Sequence, residues 1–77
     1  MRTLAQIIGE NIKTRRVKMG LTQKKLHELA FGDAANVSIC RWERGDFCPG
    51  AFALKGLSEA FGCTIDELFL EDENAEL

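Results

Sequence analysis

Seventy-seven residues, 45% apolar and 29% charged, suffice for one folded domain and leave no room for a second. The mix is that of a globular chain rather than a disordered one, and no apolar run approaches the roughly 18–20 residues of a membrane span. The formal net charge of −2 conceals a segregation: residues 1–70 carry ten basic and eight acidic side chains, whereas the end "EDENAEL" carries four acids and no base.

The start "MRTLAQIIGE" lacks the long apolar stretch of a signal peptide, so a cytoplasmic location is expected. Cys40, Cys48 and Cys63 are an odd number without a C-x-x-C pair, which fits reduced thiols better than a disulfide framework. Their spacings of 8 and 15, even with His27 added, do not suit the paired ligands of a structural zinc site. No metal or cofactor is expected. With one histidine, no histidine–nucleophile constellation and no phosphate-binding glycine loop, the chain does not read as an enzyme.

Taken in chain order, the pattern predicts five helices and no strand. Ile8, Ile12 and Met19 recur at helical spacing, giving a first helix over about residues 4–18 that ends at Gly20. Thr22 suits the N-cap of a second helix, about 22–30, with Leu26, Leu29 and Ala30 inward. The "FGD" that follows breaks the chain, with Asp33 placed to cap a third helix over about 34–44. There Ala35, Ile39 and Trp42, spaced i, i+4 and i+7, form the buried stripe. Asn36, Val37, Cys40, Arg41 and Arg44 share the opposite side. Gly45 ends the helix.

Pro49 precedes a fourth helix, about 50–61, with Ala53, Leu54, Leu57 and Phe61 inward. Gly56 within it costs about 1 kcal/mol relative to alanine, so packing is close there or the helix is weak. "TIDE" at 64–67 is a capping box opening a fifth helix, about 65–70, with Ile65, Leu68 and Phe69 inward. Residues 1–70 thus read as one all-α domain and 71–77 as a short, disordered acidic tail.

One stretch, "KTRRVKMGLTQKK" at 13–25, holds six basic residues and no acid. It reads as a solvated face or as a surface for phosphates. Two short helices joined by a tight turn, the first basic and the second exposing polar groups, suggest a helix-turn-helix.

At this point "IGENIKTRRVKMGLTQKKL", "SICRWERG" and "LSEAFGCTIDELF" together resemble the XRE family, the phage repressor and Cro-like helix-turn-helix domains. The likeness covers residues 7–69, about four-fifths of the chain. It implies a compact five-helix, repressor-like fold and a sequence-specific transcriptional regulator, most simply a repressor, that binds double-stranded DNA as a homodimer with its third helix in the major groove. By position, Arg41, Asn36, Val37 and Cys40 match base-reading sites. Thr22, Gln23, Lys24, Lys25 and Arg44 match sites that meet phosphate. Arg16 and Glu43 match a pair that links the first and third helices. No small-molecule ligand or membrane contact is implied.

The chain also departs from the family pattern. The turn "LAFGDAAN" is about two residues longer than the commonest form, the loop after Gly45 carries Asp46 where relatives are often basic, and His27 replaces a small residue. Phe47 and Phe52 stand at positions often polar, as satellite core or a dimer surface. An alternative function is an antitoxin-like interaction module that neutralises a partner protein, with DNA binding secondary.

Overall fold

The computed structural model describes residues 2–35 and 37–70; Met1, Asn36 and the acidic end 71–77 lie outside the described residues. Five helices follow one another: α1 (Leu4–Lys18), α2 (Gln23–Phe31), α3 (Ile39–Glu43), α4 (Ala51–Phe61) and α5 (Ile65–Leu68). Local signals account for most of their ends. Thr3 caps α1 in a reciprocal box, its hydroxyl accepting from Gln6 N–H at 3.2 Å while its own N–H donates to Gln6 Oε1 at 2.8 Å. The Thr22 hydroxyl accepts from Lys25 N–H at 3.0 Å and so caps α2. Arg15, Arg16 and Lys18 in the last turn of α1 oppose the negative end of its dipole.

All five helices supply one core: Ile8 and Ile12 from α1, Leu26 from α2, Ile39 and Trp42 from α3, Ala53, Leu54 and Leu57 from α4, and Leu68 from α5. Each large aliphatic side chain removed fully from water contributes about 1.5–3 kcal/mol. Two glycines set how closely the helices approach. A Cβ on Gly9 would lie 2.2 Å from the Trp42 carbonyl oxygen, so α1 and α3 meet backbone to backbone. A Cβ on Gly56 would lie 2.8 Å from the Phe31 ring and 3.0 Å from the Ala30 carbonyl, so close packing of α2 on α4 is the reason for that glycine.

Several sequence expectations need correction. The third helix begins at Ile39 rather than near residue 34, and its N-cap is Ser38, not Asp33. The Ala34 carbonyl, which a longer helix would have turned toward Ser38 N–H, instead lies 2.8 Å from His27 Nε2. A carbonyl only accepts, so that ring nitrogen carries the proton. This bond ties the chain that follows α2 back to α2.

Phe31 belongs to α2 rather than to the break after it, and packs edge-on against Trp42 at 5.9 Å. Ala35, Leu29 and Ile65, expected inside, are exposed. A domain of this size has room for one inward row per helix, and Leu26 takes that place in α2.

The fifth helix stops at Leu68 rather than 70. The carbonyls of Leu68 and Leu70 both accept from Asn11 Nδ2 at 2.8 Å, a side-chain substitute for further helical bonds that also ties α1 to α5. At the other end of α5, Thr64 N–H and its hydroxyl donate to the Glu67 carboxylate, holding its pKa below the usual glutamate value.

Gly9→Ala should force α1 away from the Trp42 carbonyl and destabilise the domain by about 1–3 kcal/mol or more, read as a lower midpoint in thermal unfolding. Because the Glu67 pKa is depressed on folding, its contribution is fully present above the ordinary glutamate pKa and lost as pH falls through the lower folded value. An NMR titration of the Glu67 carboxyl should show that low value, and Thr64→Ala, which removes the hydroxyl but keeps the backbone N–H, should raise it only part of the way.

Candidate nucleic-acid interface

The C-terminal end of α3 is fixed by one carboxylate. Arg16 Nε–H donates to Glu43 Oε2 at 2.6 Å and Nη2 to Oε1 at 3.1 Å, a two-pronged ion pair between α1 and α3. The side chains are only 15% and 5% exposed. Gln23 Nε2, at the first position of α2, donates to the same Glu43 Oε1 at 3.1 Å. Arg16 Nη1 donates to the Leu21 carbonyl at 2.7 Å, so the turn between α1 and α2 joins the cluster. The bond to Glu43 raises the Arg16 pKa further above an already very basic value, and the guanidinium stays charged at any working pH.

With α3 held this way, its outer side and the start of α2 form one open groove. Gln23, Lys24 and His27 line it from α2. From the other wall come Val37, Ser38, Cys40, Arg41 and Arg44, with Ile39 at the floor. Cys40, Arg41 and Arg44 are exposed. Val37, expected wholly on the open side, is half-buried against the core while still lining the groove.

Thr22 and Lys25 are exposed at the same end of α2, where Thr22 caps the helix and Lys25 Nζ lies 3.6 Å from Glu28 Oε2. Asn36 lies outside the described residues. The structure therefore brings Gln23, Lys24, Val37, Cys40, Arg41 and Arg44 to one face and assigns Arg16 and Glu43 to holding that face in place.

The basic stretch 13–25 divides. Arg15 Nη2 lies 3.5 Å from Glu67 Oε2, Arg16 is committed to Glu43, Lys25 is held only loosely by Glu28 at the surface, and Lys24 points into the groove. Cys63 lies away from this face; burial, the largest influence, raises its thiol pKa, opposed by Arg15 and reinforced by Glu67.

Two groove residues escaped the sequence reading. Ser38 makes no side-chain capping bond, which leaves its hydroxyl available on the groove wall. A serine one position before Ile39 is a cap signal, but Asp33 offered a competing start. His27 enters the groove because it reaches across to Ala34, a contact with no local signature.

Five helices with a short α3 set across the start of α2 define a helix-turn-helix domain. The chain is similar to two helix-turn-helix regulators of the XRE family. It is 36% identical, over 67 residues, to the Repressor protein C2 of Salmonella phage P22, a match covering 87% of this chain and 30% of the relative. Over 76 residues it is 33% identical to the HTH-type transcriptional regulator DicA of Escherichia coli, covering 99% of this chain and 55% of the relative. The chain thus spans between about a third and about half the length of these curated relatives. No family model matches the chain, and no solved structure matches it significantly.

Removing one partner of a largely buried ion pair costs about 3–5 kcal/mol, more than replacing both with apolar groups. Arg16→Met should exceed Glu43→Gln in cost, because it also strips the Leu21 carbonyl of its donor. A double-mutant cycle on denaturant unfolding should show strong coupling between the two positions; additive single effects would contradict it.

Proposed function

We propose that this domain binds double-stranded DNA sequence-specifically as a transcriptional regulator, most simply a repressor. The observation that carries the reading is the open groove joining the N-terminal end of α2 to the outer side of α3. The two halves suit different partners. The first turn of α2 offers unpaired backbone N–H groups and the cationic Lys24, a combination suited to a phosphate. Thr22 adds a hydroxyl; its oxygen accepts from Lys25 while its hydrogen is free to donate. On α3, Arg41 meets guanine O6 and N7 through two parallel N–H donors, and Cys40 and Val37 supply small apolar contact to a thymine methyl. Arg44, with Lys25 beside the helix start, meets the backbone, and Asn36 takes a base-reading place ahead of α3.

Supporting this reading, the two relatives are by name a repressor and a transcriptional regulator. None of the described helices is long and apolar enough to cross a membrane. We place the regulator in the cytoplasm, with no reaction to catalyse. The domain acts as a homodimer, because one five-residue helix supplies too few base contacts for useful specificity. Two copies with their α3 helices about 34–36 Å apart would read successive turns of the duplex. Phe52, 79% exposed at the start of α4, and the outer side of α5 are the surfaces assigned to that contact.

Arg41→Ala should relax preference at one position of each half-site, by about 1–3 kcal/mol against the wrong base, with little change in salt dependence. Lys24→Ala should weaken all duplexes alike and reduce the salt slope by about one unit. Isotherms on matched and mismatched duplexes, selected first from a random pool and measured at several salt concentrations, separate the two. Uniform loss on Arg41→Ala would remove Arg41 from the base-reading role.

A further inference from the structure

Both arginines on the open side of α3 are already engaged in the free protein, and by consecutive residues of the following loop. Arg44 Nη2 lies 2.9 Å from Asp46 Oδ2. The Arg41 guanidinium carbon lies over the Phe47 ring, 5.8 Å from its centroid. The backbone makes this arrangement durable. Gly45 takes φ +80°, which side-chain-bearing residues resist, and two bonds close the helix end behind it. Gly45 N–H donates to the Trp42 carbonyl and Asp46 N–H to the Arg41 carbonyl, each at 3.0 Å. This is the Schellman pattern, and it turns the chain back along the side of α3 that carries the two arginines. Buried Pro49 fastens the far end of the loop.

We propose that this loop presets the two arginines for DNA: Phe47 is a positioning residue that fixes how Arg41 enters the groove, and Asp46 is an internal stand-in for phosphate that Arg44 exchanges for the DNA backbone. The proposal rests on the DNA-binding reading above.

The two contacts differ in kind. A guanidinium resting on an aromatic ring is restrained in direction, yet its N–H donors remain open to a second partner. Ordering Arg41 beforehand lowers the side-chain entropy lost when it meets a base. Phe47 therefore acts on specificity. Asp46 instead occupies the donors of Arg44 that a phosphate would use. Both members of that pair are well exposed, 62% and 46%, so their attraction is weak and readily exchanged. A carboxylate at that position also subtracts one charge from the face that meets DNA. Asp46 therefore acts on affinity for every sequence alike.

The test uses the full chain with Asp46→Asn, Phe47→Leu, Arg41→Ala and the Phe47→Leu/Arg41→Ala double variant. Thermal unfolding verifies the fold, since neither loop residue is part of the core. Asp46→Asn should raise affinity for matched and mismatched duplexes by about two- to fivefold and steepen the salt slope by up to about one unit. Phe47→Leu should leave the slope unchanged and cut the matched-to-mismatched ratio at the Arg41 position by about two- to fivefold. In the Arg41→Ala background it should have no effect on preference, which a merely structural role would not produce.

Unchanged affinity and slope in Asp46→Asn would overturn the role of Asp46. Unchanged preference in Phe47→Leu, or an equal effect without Arg41, would overturn that of Phe47. Both results with a wild-type chain that binds DNA would leave the DNA-binding reading standing alone. A wild-type chain that bound no duplex at low salt would overturn that reading and this one together.

Discussion

The Glu43 carboxylate is the constraint on which the arrangement of the first three helices depends. A charge almost wholly withdrawn from water is tolerable only when donors surround it. Here they come from α1 through Arg16 and from the first residue of α2 through Gln23. A five-residue helix has no stability of its own in water, so α3 is a helix because its surroundings make it one. Ile39 and Trp42 fasten its inner side, Gly9 lets α1 reach its backbone, and Glu43 fixes its rotation. The same carboxylate sets the distance between the start of α2 and the end of α3, the two walls of the groove.

That division of labour changes how the charge of the chain is understood. The basic stretch is less a uniform patch than a mixture of structural and available cations. Arg16 belongs to the interior network and Arg15 lies beside Glu67, whereas Lys24, Arg41 and Arg44 border the groove. The acidic partners do different work as well. Glu43 is locked into the fold, while Asp46 is exposed and holds its arginine weakly.

The sequence made legible what local chemistry decides. Thr22 and the Thr64–Glu67 box are capping signals within one turn of chain, and Gly45 stands where the backbone needs a left-handed residue. Ile39 and Trp42 were visible as a buried pair by their spacing, whereas Gly56 left close packing and a weak helix both open until the Phe31 contact decided for packing. What escaped depends on side-chain-to-backbone contacts that spacing does not announce. The late start of α3 follows from His27 reaching Ala34, and the early stop of α5 from Asn11 reaching Leu68 and Leu70. Leu29 and Ile65 have the right spacing for burial, but spacing alone does not reveal how narrow the shared core is. Within the candidate site, Arg41 and Arg44 were readable as exposed; that each already has a loop partner was not.

The setting of Trp42 also makes the molecule its own optical gauge. The chain has one tryptophan and no tyrosine, so essentially all its near-ultraviolet emission comes from a single indole. Trp42 is 8% exposed, its ring edge-on to Phe31 and its backbone carbonyl against α1. Any motion that lifts α3 from α1 or α2 admits water to the ring and shifts its emission to longer wavelength. Seating of the third helix is thereby visible at one colour without a label, separately from the far-ultraviolet signal of the helices as a whole.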